Sequence, residues 1–279
     1  MRIMIEDEEF EVRIDGPDAA PALLLSNSLS SDMSMWEDQI PLWSQHFRVI
    51  RYDQRGHGGS TVSPAPYSME QLGRDALSVL DALGVQRAHF CGLSMGGMVG
   101  MWLLTHAPDR VDRAVLANTA AYMGPADLWN GRVAAAEAGG MEALVDSTIA
   151  RWFPEAFRAA APETIERMRA MILRTPAVGY QGSCLAIRDM DQRETIKGIR
   201  NPVLVIIGSK DPATTPTDGE AIVAAIPGAQ KCVLDAAHIS NIEQATAFGA
   251  AVAAFLLGGE PGPGRRLRCA LSGHTHSAA

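Results

Sequence analysis

Gly92-Leu93-Ser94-Met95-Gly96 follows the apolar run Ala88-His89-Phe90-Cys91 and opens a stretch of helical character, so it predicts a tight strand-to-helix turn with a serine at its apex. Such a turn crowds the backbone and imposes unusual dihedral angles, which flanking glycines tolerate. The serine hydroxyl is left exposed at the end of a strand, as in the G-x-S-x-G nucleophile elbow.

Outward from this turn, apolar β-rich runs alternate with amphipathic segments. The runs are Ala22 to Ser26, Phe47 to Tyr52, Ala88 to Cys91, Ala114 to Ala117, Val203 to Ile207 and Lys231 to Leu234. That alternation predicts an α/β fold, a mostly parallel sheet flanked by helices. An antiparallel hairpin is expected to open it, around Ile3 to Ile5 and Phe10 to Ile14. Helices are predicted over Met33 to Gln45, Ser68 to Leu83, Ser94 to His106, Thr217 to Ile226 and Ile242 to Leu257. In the second of these Leu72, Ala76, Val79, Leu80 and Leu83 recur at helical spacing, and Gly84 supplies the stop. Residues 122–197 are rich in Ala, Met, Arg and Glu with helical periodicity, and they predict a helical cap inserted into a core made of 1–121 and 198–257. A cap after the sixth strand lies over the strand C-termini, where sites form in open α/β sheets. The Gly/Pro-rich and then basic segment 258–279 is expected to be poorly ordered.

Composition narrows the chemistry. Of 279 residues 47% are hydrophobic and 20% charged, which is ordinary globular usage. The net charge of -8 disfavours nucleic acid and anionic membrane as partners and points to a small neutral or weakly anionic ligand. No apolar run approaches the ~20 residues of a membrane span, and the acidic start matches no signal peptide, so a cytoplasmic monomer or small homo-oligomer is expected. Cys91, Cys184, Cys232 and Cys269 match no metal or redox spacing and read as reduced thiols. No cofactor and no metal are expected: two histidines at zinc spacing on a helix are absent, and His274 and His276 in the tail form only a weak H-x-H.

A serine hydroxyl needs a neighbouring base, and the base needs an acid to fix its tautomer. His89 lies in a strand-like run, His106 ends a helix, His46 precedes a strand and His57 sits in the Arg55-Gly56-His57-Gly58 loop. His238 alone follows the last predicted strand, at the sheet edge where Ser94 emerges. Asp211, on the turn after Val203 to Ile207, is the expected acid. Asp235 is its rival but is better suited to stabilising its own loop, and Asn118, after the sixth strand, carries no charge. Two N–H donors are needed for the oxyanion: Met95 supplies one at a helix start, and the Asn27-Ser28-Leu29-Ser30-Ser31 loop the other, through Leu29 or, less favoured, Ser28. The glycine-rich Asp53-Gln54-Arg55-Gly56-His57-Gly58-Gly59-Ser60 lacks the spacing of a phosphate loop, and Asp53 and Arg55 are expected to brace it in support of the oxyanion loop. In the cap, Arg151-Trp152-Phe153 and Ile187-Arg188-Asp189-Met190 stand out, and Trp129, Met123 and Met190 are expected to line an apolar pocket.

With elbow, acid, base and oxyanion loop in this chain order, the sequence resembles the alpha/beta-hydrolase superfamily from about Ile3 to Leu257. Within it, Ser26-Asn27-Ser28-Leu29, Met35-Trp36, Tyr52-Asp53-Gln54-Arg55-Gly56-His57-Gly58 and Cys184-Leu185-Ala186-Ile187-Arg188-Asp189 are similar to the 3-oxoadipate enol-lactonases of aromatic catabolism. Ser30 stands where glycine is expected, and the tail has no counterpart. The resemblance implies hydrolysis of a small lactone or ester through an acyl-enzyme on Ser94, with Asp211 and His238 completing the triad. It further implies a carboxylate-bearing substrate held among Ser28, Trp129, Arg151, Trp152 and Arg188, with Arg188, or less favoured Arg151, as the ionic partner. A generalist short-chain carboxylesterase with perhydrolase side activity would use the same residues. A catalytically slow ligand-binding receptor on the same scaffold is the alternative from another class.

Overall fold

The computed structural model describes residues 1–258. Eight strands form one sheet: β1 (Arg2–Ile5), β2 (Glu8–Asp15), β3 (Ala22–Ser26), β4 (Arg48–Tyr52), β5 (Ala88–Leu93), β6 (Val111–Ala117), β7 (Val203–Gly208) and β8 (Gln230–Leu234). Their order is β1-β2-β4-β3-β5-β6-β7-β8, with β1–β2 and β2–β4 antiparallel and every other pairing parallel. Strands β5 and β7 are buried along their whole length. That is why β7 runs as a continuous apolar segment, and β5 as one broken only by His89, instead of alternating.

The helices are α1 (Ile40–Trp43), α2 (Met69–Ala82), α3 (Met95–His106), α4 (Ala126–Gly139), α5 (Val145–Trp152), α6 (Glu155–Ala160), α7 (Pro162–Arg174), α8 (Ala177–Asp189), α9 (Pro216–Ala225), α10 (Ser240–Glu243) and α11 (Ala245–Leu256). Helix α3 is buried on all sides from Met95 to Leu104, so it is the central helix on which β3, β5 and β6 pack. Helix α2 is set by local chemistry. The Ser68 hydroxyl accepts from Gln71 N–H at its start, its apolar face is buried, and Gly84, at φ +68°, follows its end. Trp36, Trp43 and Phe248, with ring centroids 6.0–6.3 Å apart, join α1 and the turn before it to α11.

Two predicted helices differ from the observed ones. The segment from Met33 is a 3-10 helix to Gln39 and then the short α1, because Pro41 has no N–H to continue an α-helical ladder. The last predicted helix divides at Gln244, whose side-chain amide is drawn to the Asp235 carbonyl at 3.2 Å.

Helices α4 to α8 lie between β6 and β7 as the inserted cap. It is anchored to the sheet domain at several points. Tyr67 N–H donates to Gly182 O (3.2 Å), Gln192 Nε2 to Met98 O (3.0 Å) and Ile239 N–H to Trp152 O (3.3 Å). Gly56 and Gly179 pass so closely that a Cβ on Gly179 would overlap the Gly56 carbonyl. No helix among the described residues is long and apolar enough to cross a membrane. The expectations placed on 259–279, including Cys269, His274 and His276, lie outside the described residues.

Candidate active site

Ser94 caps the N-terminus of α3 at φ +57°, ψ −115°, a conformation rarely populated by residues with a side chain. Its backbone is held on both sides: Ser94 N–H donates to Ala117 O (2.9 Å) and Thr119 Oγ1 to Ser94 O (2.8 Å). The two motif glycines are required by close approach. A Cβ on Gly92 would overlap the Gly96 carbonyl, and one on Gly96 would overlap the Ser26 carbonyl.

His238, in the turn after β8, reaches Ser94 Oγ through Nε2 at 2.9 Å and Asp211 Oδ2 through Nδ1 at 2.8 Å. All three side chains are buried. Asp211 Oδ1 accepts from the backbone N–H groups of Ala213 (2.8 Å) and Thr214 (3.1 Å), and Oδ2 also accepts from Asn118 Nδ2 (3.0 Å) and Thr214 Oγ1 (2.8 Å). Burial by itself raises the pKa of this carboxyl, but the His238 charge and the hydrogen bonds from His238, Asn118 and Ala213 outweigh it and hold it below the usual carboxylate range. Asp235, the rival acid, is exposed and pairs with Lys210 and Ser209. Asn118 joins three loops. It donates to Asp211 and to Ala237 O (3.0 Å) while its own oxygen accepts from Ser240 Oγ (2.5 Å). Thus the amide that carries no charge is nevertheless bound into the network, a role its sequence position did not reveal.

In the 27–31 loop the backbone donors separate by their partners. Ser28 N–H points to Met35 Sδ (3.4 Å), Ser30 N–H to His57 Nε2 (3.2 Å), and Leu29 N–H has no partner among the described residues. Met95 N–H is the first amide of α3 and has no residue four back within its helix to bond. The loop is braced from beneath: Asp53 Oδ1 accepts from Met33 N–H (2.7 Å) and Oδ2 from Gly59 N–H (2.8 Å). Arg55 in turn ties this brace to Asp75 of α2 (2.7 Å) and Glu8 of β2 (2.5 Å). Burial pushes the Asp53 carboxyl up to about 6 and the His57 imidazole down to about 4. The neutral His57 ring donates from Nδ1 to Arg55 O (3.1 Å) and accepts Ser30 N–H at Nε2. Ser30 itself sits at φ +66°, which accounts for the expectation of glycine there.

Ser94 and His238 open into a small cavity, ≈ 40 Å³, roofed by the cap. Ser28, Leu29, Trp129, Arg151 and Trp152 line it, as do Met98, Met123 and Ile187. Met190 does not line it; its sulfur faces Gln192. Arg188 is not brought to the cavity either, because Asp189 (2.7 Å) and Asn130 (3.0 Å) hold its guanidinium at the cap surface. The arginine that the sequence reading did not single out is Arg132, which lines the cavity and stacks over Trp129 at 4.4 Å. It follows Trp129 by three residues on α4, one helical turn, and that spacing was the available signal. Neither Arg132 nor Arg151 has a carboxylate partner among the described residues; Arg151 donates to Thr148 Oγ1 (3.0 Å). Burial, and then the neighbouring Arg132 charge, lower the pKa of Arg151.

Comparison with known proteins agrees with this geometry. The family described as alpha/beta hydrolase fold matches residues 21–245. The chain is 42% identical to 3-oxoadipate enol-lactonase 1 of Acinetobacter baylyi over 249 residues, 88% of this chain and 93% of that protein. The crystal structure of the enol-lactonase from Burkholderia xenovorans LB400 superposes with a TM-score of 0.91 at 43% identity, covering 92% of this chain and all of that one. A thermophilic esterase from Thermogutta terrifontis, solved with malate bound, superposes with a TM-score of 0.87 at 28% identity, covering 92% and 98% of the two chains. The chain belongs to the alpha/beta hydrolase fold family.

Proposed function

We propose that this alpha/beta hydrolase opens an enol-lactone carrying a free carboxylate, of the 3-oxoadipate enol-lactone type, through an acyl-enzyme on Ser94. The observation that carries the reading is the pair Arg132 and Arg151, two guanidinium groups without an acidic partner among the described residues, lining the cavity into which Ser94 and His238 open. Two like charges in a partly desolvated wall repel, and an anion between them removes that cost. The malate found in a related esterase is a carboxylate ligand of this kind.

In the first half-reaction Ser94 Oγ attacks the lactone carbonyl while His238 Nε2 takes its proton, Asp211 holding the imidazole in the required tautomer. Leu29 N–H and Met95 N–H receive the oxyanion. Collapse breaks the ring C–O bond, and the enol oxygen leaves with the proton from His238. An enolate is a better leaving group than an alkoxide, and ketonisation of the released enol removes the nucleophile that would close the ring again. In the second half-reaction His238 deprotonates a water that attacks the acyl-enzyme, and Ser94 Oγ departs with that proton.

The experiment is a comparison of carboxylate-bearing enol-lactone and neutral short-chain ester on wild type and Arg151→Gln. Loss of the ionic contact is expected to raise KM for the anionic lactone by about tenfold or more and to spare the neutral ester. Equal effects on both substrates overturn the carboxylate role, and a wild type that hydrolyses only neutral esters favours the carboxylesterase reading.

A further inference from the structure

A second, larger hollow adjoins the arginines. It occupies ≈ 580 Å³ between α4, α5 and the turn after β7, and is bordered by Leu128, Gly131, Ala135, Leu144 and Pro212. Met123, Arg132, Arg151 and Ala213 line both this hollow and the cavity above Ser94, so the same four residues are the wall between the two spaces. Three of the four have long, unbranched side chains, and among the described residues neither arginine is fixed by a carboxylate. Opening this wall requires Arg132 to leave the face of Trp129 and Arg151 to leave Thr148 Oγ1, which are side-chain rearrangements that leave the cap anchors at Gly182, Trp152 and Gln192 in place. Around it the hollow is mostly apolar, and Asp127 is the acidic side chain among its described lining residues.

We propose that this outer hollow is the antechamber through which substrate reaches Ser94, with Arg132 as the residue that selects anionic substrates on the way in. An acyl ring rests on Leu128, Ala135 and Leu144 while its carboxylate pairs first with Arg132, and rotation of that side chain passes the anion to Arg151 and places the carbonyl at Ser94. The inference rests on the proposed reaction only for the sign of the substrate charge; the route itself holds for any acyl substrate of this site.

The site offers a direct way to block the route. A Cβ on Gly131 meets nothing within 4 Å, so a side chain can start there unhindered, and Gly131→Trp is chosen to put a ring into the hollow. Three rates are measured: kcat/KM for 4-nitrophenyl acetate, kcat/KM for 4-nitrophenyl hydrogen succinate, and phosphonylation of Ser94 by a 4-nitrophenyl alkylphosphonate. All three are expected to fall by about tenfold or more in a variant that keeps wild-type circular dichroism, because entry precedes each of them. Leu128→Trp, at an exposed position of the same hollow, serves where Gly131→Trp does not fold. Rates within about twofold of wild type in a folded variant overturn the route, since association then bypasses the hollow. The second arm tests Arg132. Raising the salt from about 20 mM to about 0.5 M is expected to lower wild-type kcat/KM for the anionic succinate ester severalfold, and to lower that of Arg132→Gln, which keeps Arg151, by a clearly smaller factor. An unchanged salt dependence in Arg132→Gln overturns its role. None of these probes is a lactone, so failure of the lactone assay leaves both arms readable.

Discussion

His57 offers the sharpest test of how the 27–31 loop is held, because its burial sets both the sign and the size of an expected pH effect. The imidazole is 0% exposed, and burial lowers its pKa from the ordinary 6.5 to about 4. Above pH 6.5 the ring is neutral in the folded and the unfolded chain alike. Between 6.5 and about 4 the unfolded chain binds a proton that the folded one refuses, so acidification through this window favours unfolding. At 1.36 kcal/mol per pH unit the displacement from 6.5 to about 4 amounts to about 3 kcal/mol. His57→Gln keeps a carbonyl able to accept Ser30 N–H but removes the titration. At pH 7.5 the variant is expected to be less stable by about 1–3 kcal/mol, the cost of an imperfectly satisfied buried N–H. The gap between the two proteins then shrinks by about 3 kcal/mol as the pH falls to 4, bringing it to zero or reversing its sign. Asp53 acts in the opposite direction: its folded pKa of about 6 makes acidification between 6 and 3.8 stabilising. Asp53 is common to both proteins and drops out of the difference. Urea unfolding of both proteins at half-unit pH steps from 7.5 to 4 reads the gap directly. Curves that stay parallel within about 0.5 kcal/mol would refute the inference that His57 is held neutral as the acceptor of Ser30 N–H.

Ser94→Ala is expected to abolish burst and turnover, leaving on the order of 10³ over the uncatalysed rate from binding and the oxyanion donors; stopped-flow ester hydrolysis checks this. Asp211→Asn places an amide N–H among groups that all donate, namely His238, Asn118, Thr214 and Ala213, and is expected to lower kcat about 10⁴-fold with KM little changed, measured by steady-state kinetics. Ser30→Gly removes a side chain from a residue at φ +66° whose hydroxyl has no hydrogen-bond partner among the described residues, and should raise stability by about 0.5–1 kcal/mol in urea unfolding.

The parts of the fold that were legible in the sequence are those whose cause is local. The buried strand β7 reads as an unbroken apolar run and β5 as one interrupted only by His89, and α2 carries its own start at Ser68 and its own end at Gly84. The two helices misjudged in extent, from Met33 and to Leu257, are interrupted by a missing N–H at Pro41 and by the non-helical backbone of Gln244, whose amide bonds to the distant Asp235 carbonyl. Ser94, Asp211 and His238 were findable because each follows a strand and the parallel sheet brings those strand ends to one edge. Arg188 and Arg132 were not separable by the same logic. Both are arginines on cap helices, and only the folded chain places Asp189 and Asn130 on Arg188 while leaving Arg132 beside Arg151.

On the proposed function, that difference bears on the substrate charge that the Ser94–His238–Asp211 network serves. The negative charge of Asp211 is consumed by five donors, one of them the imidazole it orients, so it offers little to a ligand. Arg132 and Arg151 contribute two positive charges to the same cavity, and neither is ion-paired among the described residues. On the function proposed above, an anionic substrate gains from the cavity what a neutral ester does not, and it gains it before any bond changes, which is expected to affect KM more than kcat. The bond-breaking groups are common ground between an esterase and a lactonase of carboxylate substrates. On the proposed function, selectivity between them rests on the two cap arginines, and an acid introduced beside them is expected to convert a selective site into a permissive one.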